Sequence, residues 1–573
     1  MKQKTSKVWK LKPIIPEDLV HQSQGYDGLF AQLLYNRGLT DRRQVDEFVD
    51  SRYEGLHNPF LFKDMQKAVK RIWQAVERRE KICIYGDYDA DAITANAVLR
   101  RTFRHLGHQN IESYIPDRFS EGYGVNTDAL LKIKDNGAKI IITVDCGTNA
   151  VEAGEFCKTN GIDFIITDHH EIIGPAPHAF ALINPKNPND GYLDDQITGV
   201  GVAFKMACAI LNSPESRVQS PELIKGWEKW LLDLVAIGTV ADCHALLGEN
   251  RILVKYGLVV LAKTKWLGLQ ALIASSGLNF SARPPDSYTL GFILAPRLNA
   301  AGRLEHANTA LDLLLEEDIL AAKVKASKLE ELNRRRQETT AVMLSEAREK
   351  ALGLQERKVL VIMNESWHKG VVGLVAGKLA EEFYKPTFIL SLEKGEATGS
   401  ARAVGQFNVV EALRFSSRHL VRFGGHRQAA GLSLRPENFE IFYQTILDYA
   451  ENNLADGDVS PSLELEAELL EEDLQLTTCN LLANLEPFGV GNPRPKFLIR
   501  NVRIISQRQV GTDGRHLQAQ VQIGEKIMPA IAFNFRSVDS ANQHDLACEL
   551  LEDGWNGRKQ LKLKIVDVQM SKN

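Results

Sequence analysis

The sequence has few cysteines, and their spacing excludes two common uses of the residue. The chain of 573 residues contains seven of them: Cys83, Cys146, Cys157, Cys208, Cys243, Cys479 and Cys548. No two form a CxxC pair and their number is odd, so neither a disulfide framework nor a zinc knuckle is expected. We expect them to be small apolar side chains in a reduced protein.

Long hydrophobic runs are also absent from the sequence. No stretch of about 18 uninterrupted apolar residues occurs, which argues against a membrane-spanning helix. The charged start MKQKTSKVWKLKPIIPEDL is not followed by the apolar core or small-residue cleavage site of a signal peptide. A cytoplasmic location is therefore expected.

The chain has no excess of positive charge. It carries 69 Lys and Arg residues against 73 Asp and Glu residues, for a net charge of −4. This balance excludes a globally basic nucleic-acid coat, although a local basic channel can coexist with an acidic cluster elsewhere. At roughly 150 residues per domain, the length predicts three or four domains.

From about residue 80, short apolar runs alternate with amphipathic stretches. We predict strands over 81–87, 111–116, 138–145 and 163–170, with helices such as 93–106 and 127–136 between them. Strands separated by helical crossovers predict a parallel sheet of the α/β class, covered by helices on both faces.

The rest of the chain divides into further units. Residues 318–352 have apolar residues at helical spacing and no Pro or Gly, which predicts one long helix linking two lobes. Short alternating strands in the tail predict a small β-barrel. The predicted boundaries are 1–50 for an N-terminal segment, 51–315 for the first α/β domain, 316–353 for the connecting helix, 354–453 for a smaller α/β domain and 460–573 for the barrel.

Acidic residues follow the predicted strands of the first α/β domain. Asp87, Asp89 and Asp91 stand at i, i+2 and i+4 after an apolar strand, where carboxylates repel one another unless cations neutralise them. The other candidates are Asp145 in ITVDCG, Asp168, His169 and His170 in TDHHE, and Asp242 in GTVAD. Because ligands bind at the carboxyl ends of parallel strands, these motifs are predicted to converge on one crevice.

The composition of this set favours a metal site. One aspartate after a strand is more often a helix cap than a ligand, but four such motifs together are not explained by capping. Carboxylates with one or two imidazoles suit two divalent ions, Mn²⁺ or Mg²⁺, better than a thiolate-binding metal. Two such ions sharing a carboxylate can activate water and stabilise both the attacking and the leaving oxygen of a phosphoryl displacement.

The four acidic motifs, in this order, resemble those of the DHH phosphoesterase superfamily. Further segments resemble the RecJ family of single-strand-specific 5′ exonucleases: PDRFSEGYGVN (116–126), TGVGVAFK (198–205), APRLNAAGRLEHA (295–307), WHKGVVGLVAGKLA (367–380), FGGHRQAAGLSL (423–434) and PFGVGNPRPKF (487–497). The resemblance runs from about residue 50 to the C-terminus. It implies a DHH catalytic domain, a DHHA1 domain and an OB-type barrel.

The resemblance also implies roles for the acidic residues. The implied metal ligands are Asp89, Asp91, Asp145, His169 and Asp242, with Asp145 as the bridge and Asp87 as an additional or outer carboxylate. His170 is implied to face the scissile phosphate, and Asp168 to orient a ligand imidazole. Where the family pattern has glycine and serine, this chain has Ala92 and Ala95; we expect activity to survive, but a hydroxyl role at position 95 is put in doubt.

A second group of residues is implied to hold the DNA strand. Arginine suits a pocket for the 5′ phosphate because its fork grips phosphate oxygens in bidentate geometry. The implied pocket residues are Arg118, Arg303, Ser400 and Arg402, with Arg297 as the alternative to Arg303. Gly424, Gly425 and His426 are implied to contact the substrate backbone, with added positive potential from Arg414, Arg418, Arg422, Arg427 and the run 333–336. In the barrel, the aromatic candidates for stacking on bases are Phe488, Phe497, Phe533, Phe535 and Trp555.

The activity implied by the resemblance is 5′→3′ hydrolysis of single-stranded DNA to 5′-mononucleotides, in recombination and mismatch repair. Single-stranded DNA-binding protein and a helicase are the implied partners, and a monomer is expected because one chain carries the whole site. One alternative is another DHH phosphodiesterase, acting on short oligonucleotides, cyclic dinucleotides or pyrophosphate; such relatives are generally built without the barrel. The other alternative is a non-catalytic scaffold of the same fold, which predicts eroded metal positions.

Overall fold

The computed structural model describes residues 7–20, 28–219, 225–455, 460–511, 513–535, 537–555 and 558–571. Its N-terminal elements are β1 (Val8–Leu11), α1 (Glu17–Val20), α2 (Gly28–Tyr35) and α3 (Arg42–Asp50). These elements pack against the other end of the chain: Phe30 and Leu33 of α2 belong to the apolar core of the C-terminal barrel. The N-terminal segment, for which the sequence indicated no role, therefore buttresses the barrel.

The first α/β domain is built on a parallel sheet, as predicted. Its strands are β2 (Ile82–Gly86), β3 (Ile111–Tyr114), β4 (Ile140–Val144), β5 (Asp163–Thr167) and β6 (Ala181–Ile183). They lie in the order β3-β2-β4-β5-β6, and every pair is parallel. β2 and β4 are buried at every position, because helices cover both faces and select apolar residues all along the strand. The three-residue strand β6 was not predicted.

Helices surround this sheet and make up the rest of the domain. They are α4 (Met65–Glu77), α5 (Ala90–His105), α6 (Thr127–Asp135), α7 (Val151–Thr159), α8 (Gly199–Asn212), α9 (Pro214–Gln219), α10 (Leu232–Ala241), α11 (Gly248–Leu261), α12 (Leu267–Ser275), α13 (Ala295–Leu304) and α14 (Asn308–Leu314). A π-helical turn over Thr289–Leu294 leads into α13.

The predicted long helix is confirmed as α15 (Ile319–Leu352), 34 residues in length. It begins at Asp318, whose side chain accepts hydrogen bonds from the backbone N–H groups of Leu320 and Ala321. Its first half contributes apolar residues to the core of the first α/β domain, and its second half, from Met343 onward, to the core of the next domain. One helix therefore fixes the two lobes to each other.

The second α/β domain is a mixed sheet with helices packed on it. Its strands are β7 (Leu360–Asn364), β8 (Thr387–Glu393), β9 (Glu396–Arg402), β10 (Arg422–Gly425) and β11 (Ala429–Leu434), and its helices are α16 (Val372–Phe383), α17 (Val409–Phe415) and α18 (Phe439–Asn453). The order is β10-β11-β9-β8-β7. β7 and β8 are parallel, and the other pairs are antiparallel.

The C-terminal domain is a closed five-stranded barrel, as predicted. The elements of this region are β12 (Ser462–Leu465), β13 (Ala467–Glu468), α19 (Leu476–Ala483), β14 (Phe497–Val510), β15 (His516–Ile523), β16 (Lys526–Ala532), β17 (His544–Trp555) and β18 (Arg558–Met570). The ring β14-β15-β16-β18-β17 closes where β17 pairs with β14. Strand β17 was not predicted, and β12 pairs with β1 of the N-terminal segment.

A buried arginine ties three parts of the chain together. Arg251 on α11 is 1% exposed and donates hydrogen bonds to Phe48 O and Ser51 Oγ at 2.9 and 3.0 Å, and to Leu485 O and Asn484 O at 2.9 and 3.2 Å. A guanidinium has five N–H donors and no acceptor, so it can satisfy several carbonyls at one buried junction.

The burial of the cysteines agrees only in part with what the sequence predicts. Cys83, Cys146, Cys157 and Cys548 are buried, as expected of small apolar side chains. Cys243 is exposed, so the interpretation as apolar filler is wrong for that residue. In the residues described, no helix combines the length and apolarity needed to cross a membrane.

Candidate metal centre and 5′-phosphate pocket

The register of the parallel sheet brings three aspartates to one edge. Gly86 pairs with Val144, and Val144 pairs with Thr167. Asp87, Asp145 and Asp168 are the residues that directly follow these three positions. The convergence predicted from the motifs is therefore a consequence of strands that end at the same level.

The start of helix α5 holds the next two carboxylates. Asp89 is the N-cap, and its Oδ1 accepts hydrogen bonds from the N–H groups of Asp91 and Ala92 at 3.0 and 3.1 Å. Asp91 is 1% exposed, and its Oδ1 accepts a hydrogen bond from Val200 N at 3.0 Å. The positive end of the helix dipole faces both carboxylates and partly offsets their charge.

Asp145 makes a tight contact with helix α8. It is 3% exposed and has a φ of +57°, a conformation that non-glycine residues rarely adopt. A Cβ atom added to Gly199 would lie 2.6 Å from Cβ and 2.7 Å from Oδ1 of Asp145. A glycine at position 199 is what lets the helix pass this close to the carboxylate.

The two histidines of the DHH triplet have different partners. His169 Nε2 lies 3.0 Å from Asp145 Oδ1 and 3.6 Å from Asp242 Oδ2. His170 Nδ1 lies 2.7 Å from Asp168 Oδ1, whereas His169 donates to Asp168 only through its backbone, from N to Oδ1 at 2.7 Å. Asp168 therefore orients the imidazole of His170 rather than that of His169, and its role beside a ligand imidazole stays a prediction.

Two more side chains lie at the site although the sequence motifs did not single them out. Tyr123 Oη is 3.2 Å from His170 Nε2, and His244 Nε2 is 3.3 Å from Asp242 Oδ2. Tyr123 lies inside the segment 116–126, so its motif was the available signal. His244 follows Asp242 by two residues, just after α10 ends, and its signal was the closeness of an imidazole to a candidate ligand.

The carboxylates of the cluster are strongly perturbed. Burial, and then repulsion from Asp89, raises the pKa of Asp87 to about 8 and that of Asp91 to about 7. Burial, followed by repulsion from Asp91, also raises the pKa values of Asp145 and Asp242 well above the usual range. Such shifts arise where like charges are buried without a counter-ion.

Unpaired oxygens test whether cations fit this cluster. Asp87 Oδ1, Asp91 Oδ2, Asp145 Oδ1 and Asp242 Oδ2 are buried and make no hydrogen bond. A buried carboxylate oxygen without a partner is costly, and four at one edge of a sheet are satisfied together by divalent cations. Oxygen ligands with imidazole nitrogen suit Mn²⁺ and Mg²⁺, so the residues present fit the two ions that the sequence predicts.

The pKa values of the two imidazoles are shifted in opposite directions. Burial, and then repulsion from His170, lowers the pKa of His169 well below its usual value, which keeps this ring neutral as a ligand must be. Burial alone would lower the pKa of His170, but its hydrogen bond to Asp168 raises it above the usual value. The same bond outweighs burial at Asp168 and holds the pKa of that carboxyl below its usual range.

The predicted phosphate-pocket residues come from both lobes and meet at the interface. Arg402 Nη1 donates a hydrogen bond to Ser400 Oγ at 2.7 Å, and Arg303 Nη1 donates one to Gly370 O at 3.2 Å. Burial, and then the charge of Arg118, lowers the pKa of Arg303 to about 9. Burial, followed by Arg118, likewise lowers the pKa of Arg402. Arginines that repel one another in a partly buried pocket indicate an anion-binding site.

The ion pair made by Arg297 favours Arg303 as the arginine of this pocket. Arg297 forms a two-pronged ion pair with Glu330, with N–O distances of 2.6 and 3.2 Å. Gly373 leaves room on the other side: a Cβ there would lie 3.0 Å from Arg402 Nη2 and 3.2 Å from Ser400 Oγ. The backbone of α16 can therefore approach a phosphate held by these side chains.

Gly424, Gly425 and His426 form an exposed turn. They lie where β10 turns into β11, and all three are exposed. Gly425 has a φ of +144°, and a Cβ there would lie 2.4 Å from Ala429 O, so the turn requires glycine. The neighbouring Arg422 reaches the catalytic lobe, with Nη1 3.9 Å from the Cβ position of Gly122. Contact of His426 with the substrate stays a prediction.

The barrel aromatics divide into core and surface. Phe488 and Phe497 belong to the barrel core, at 8% and 0% exposed, so the prediction that these two stack on bases is wrong. Phe533 is 49% exposed and lies edge-on to His516. Phe535 packs partly buried against the core, and the side chain of Trp555 lies outside the described residues.

The two alanines that depart from the family pattern are in the core. Ala92 and Ala95 on α5 are each fully buried. The N–H of Ala92 is used by the Asp89 cap. Position 95 faces the apolar core, where a methyl group packs without an unpaired hydroxyl.

Comparison with known proteins supports the same division of the chain. Three family models match: the DHH family N-terminal domain over residues 81–239, the DHHA1 domain over 356–452 and the RecJ OB domain over 465–567. The single-stranded-DNA-specific exonuclease RecJ of Bacillus subtilis is 37% identical over 551 residues, covering 95% of this chain and 68% of that protein. The protein of the same name from Escherichia coli is 31% identical, covering 94% of this chain and 95% of its own length.

Solved structures agree with the sequence matches. The crystal structure of RecJ from Thermus thermophilus in complex with Mn²⁺ superposes with a TM-score of 0.84 at 28% identity, covering 99% of this chain and 80% of that one. The corresponding complex with Mg²⁺ gives a TM-score of 0.77 at 28% identity, covering 99% of this chain and 79% of that one. The chain therefore belongs to the RecJ family of single-stranded-DNA-specific exonucleases.

Proposed function

We propose that this chain is a metal-dependent exonuclease that removes 5′-mononucleotides from single-stranded DNA in the 5′→3′ direction. The observation that carries the proposal is the cluster of four buried carboxylate oxygens without hydrogen bonds, joined by two histidines of the DHH triplet. An arginine pocket is formed by residues of both lobes, as an enzyme that starts at a phosphorylated end requires. The names of the relatives, which specify single-stranded DNA as their substrate, support the same substrate here.

The chain's own residues supply the metal ligands and the proton donor. Asp89, Asp91, Asp145, His169 and Asp242 would hold two divalent ions, with Asp145 between them and Asp87 adding a further carboxylate. When bound, the ions would lower the pKa of a water molecule and stabilise negative charge on the phosphate. His170, fixed at Nδ1 by Asp168, would donate a proton from Nε2 to a phosphate oxygen or to the leaving 3′-oxygen.

We base the proposed direction of cleavage on the pocket formed between the two lobes. Arg118, Arg303, Ser400 and Arg402 would grip the terminal 5′ phosphate, which places the first internucleotide phosphate over the carboxylates. The turn at His426 would hold the backbone beside it. The strand would pass between the two lobes joined by α15, and this passage would exclude a duplex on size. With the terminal phosphate held in the pocket, one nucleotide would be released per cut.

The wider role follows from this substrate. An enzyme limited to single strands depends on a helicase to open the duplex and meets strands coated by single-stranded DNA-binding protein. Recombination and mismatch repair are the processes that consume a strand in this way. We propose that the chain works as a monomer in the cytoplasm, since one chain contributes the ligands and the phosphate pocket.

The first experiment is a digest of single-stranded DNA labelled at either end. Full-length protein with Mn²⁺ or Mg²⁺ should release 5′-mononucleotides from the 5′ end, and EDTA or Asp145→Ala should abolish the release. Absence of cleavage with any divalent ion would favour the scaffold alternative. Cleavage restricted to dinucleotides, cyclic dinucleotides or pyrophosphate would favour the other DHH phosphodiesterases.

The phosphate pocket is tested with two strands of the same sequence, one with a phosphate and one with a hydroxyl at the 5′ end. Arg402→Ala should lower kcat/KM on a 5′-phosphorylated strand by about tenfold to hundredfold, the worth of one charge-assisted hydrogen bond. The loss on a 5′-hydroxyl strand should be smaller. Arg435→Ala, at an exposed position of the same domain, is the matched control and should leave both rates unchanged. Equal losses of kcat/KM on the two strands would mean that the 5′ phosphate binds elsewhere.

A further inference from the structure

The loop after the last acidic motif suggests that the two metal positions differ in ligand chemistry. His244 lies two residues beyond Asp242 in the loop that follows α10. His169, Asp242 and His244 each offer one ligand atom, and these three atoms lie within 4.8 Å of one another. A second group, which shares His169, is made of Asp145, His169 and His170.

The hydrogen bond of His244 fixes which of its nitrogens is free. Its Nδ1 lies 3.0 Å from Gln196 O, and the same carbonyl accepts a bond from Asn250 Nδ2 at 2.7 Å. A carbonyl oxygen can only accept, so Nδ1 must carry the hydrogen. In the neutral ring Nε2 then bears a lone pair. A backbone carbonyl that receives the second N–H is the usual support of a metal-bound histidine.

That lone pair lies close to another electron-rich atom. His244 Nε2 lies 3.3 Å from Asp242 Oδ2, and Asp242 Oδ2 is a buried oxygen that makes no hydrogen bond. A nitrogen lone pair and a carboxylate oxygen repel at this distance unless a proton or a metal cation lies between them, and no hydrogen bond joins the two atoms here. Two ligands held by one ion at about 2.1 Å are themselves about 3.0 to 3.4 Å apart in octahedral or tetrahedral geometry.

We propose that His244 is a metal ligand, so that one of the two ions is held by His169, Asp242 and His244. This inference rests on the proposed two-metal function and adds a ligand to it. A site with two imidazoles favours Mn²⁺ and other transition metals over Mg²⁺, which prefers oxygen and keeps its water. The second position, formed by the aspartates around β2 and α5, is rich in oxygen and accepts either ion.

The test measures metal binding without DNA. The full chain is stripped of metal and titrated with Mn²⁺ alone and with Mg²⁺ alone, and nitrogen coupling to bound Mn²⁺ is recorded by pulsed electron paramagnetic resonance. The variants are His244→Ala, with His244→Gln as a second variant of similar length. His169→Ala is the positive control, and His178→Ala, an exposed histidine between β5 and β6, is the matched control.

Wild-type protein should show coupling to two imidazole nitrogens, and each of the His244 variants to one. Loss of this ligand should weaken Mn²⁺ at one position by at least about tenfold, the lower range seen for partners of metal ligands, and Mg²⁺ by less. Unchanged nitrogen coupling and Mn²⁺ affinity in folded His244 variants, with a clear loss in His169→Ala, would overturn the inference alone. Absence of Mn²⁺ binding by the wild type would instead overturn the metal centre of the proposed function.

Discussion

A single methyl group added at Gly199 should inactivate the enzyme while leaving it folded. Gly199 is the first residue of α8, and it packs against Asp145, the proposed bridging ligand. In Gly199→Ala the new Cβ would lie 2.6 Å from Asp145 Cβ and 2.7 Å from its Oδ1. Carbon atoms in contact ordinarily stand about 3.5 to 4.0 Å apart, so the aspartate or the helix must move by about 1 Å.

The same movement has unequal effects on stability and on catalysis. Overpacking of a core typically costs about 1 to 3 kcal/mol, and alanine recovers up to about 1 kcal/mol over glycine in a helix, so the protein should stay folded. Metal–ligand distances, however, hold to about 0.2 Å. Displacement of a reacting group by about 1 Å can cost on the order of a hundredfold in rate, which corresponds to about 2.7 kcal/mol in the activation free energy.

Three measurements decide this prediction. The rate of nucleotide release from 5′-labelled single-stranded DNA should fall about a hundredfold, and Mn²⁺ affinity should fall with it, while urea unfolding shows a loss within about 3 kcal/mol. Gly377→Ala is the control, because a Cβ at that helical glycine meets no atom within 4 Å; it should be fully active. Activity within about threefold of wild type in Gly199→Ala would refute the reasoning that Asp145 must occupy its present position.

Three further predictions concern charge and burial. The stability of the metal-free protein should fall as the pH rises from about 4 to about 8, because Asp87 and Asp91 have pKa values of about 8 and about 7 when folded, against ordinary values of 3.8; urea unfolding in chelator measures this, and stability that rises over this range would contradict it. Asp145→Asn should raise the melting temperature of the metal-free protein at about pH 8, since it removes one buried like charge, and should reduce the further rise on adding Mn²⁺; a lower melting temperature without metal would contradict the repulsion argument. Arg251→Ala should cost about 3 kcal/mol or more, because its carbonyl partners lose their donors at a buried junction, and proteolysis should then release the N-terminal segment; unchanged stability would mean that water replaces the guanidinium.

Local chemistry explains why much of this protein could be predicted. Strands β2 and β4 are buried on both faces, so their continuous apolar pattern could not belong to a half-exposed sheet. Helix α15 has no Pro or Gly over its length and starts at an aspartate cap. The acidic residues that follow β2, β4 and β5 could be placed at one edge, because parallel strands bring their carboxyl ends together.

Other features were missed because they depend on contacts between distant residues. Strand β6 has three residues and β17 lies in a stretch without clear alternation, so neither has a local signal. The orientation of Asp168 toward His170 depends on a side-chain torsion. The burial of Phe488 and Phe497 depends on which face of the barrel each one occupies.

Residue types and their order were enough to predict four acidic motifs, a helix without breakers and a tail of short strands. These features follow from local propensity and periodicity, which act over a few residues. Packing was needed to establish that Gly199 must have no side chain, that Arg303 contacts Gly370 of the other lobe, and that the N-terminal segment buttresses the barrel. Such contacts join residues far apart in the chain, so their geometry is fixed only when the lobes have packed together.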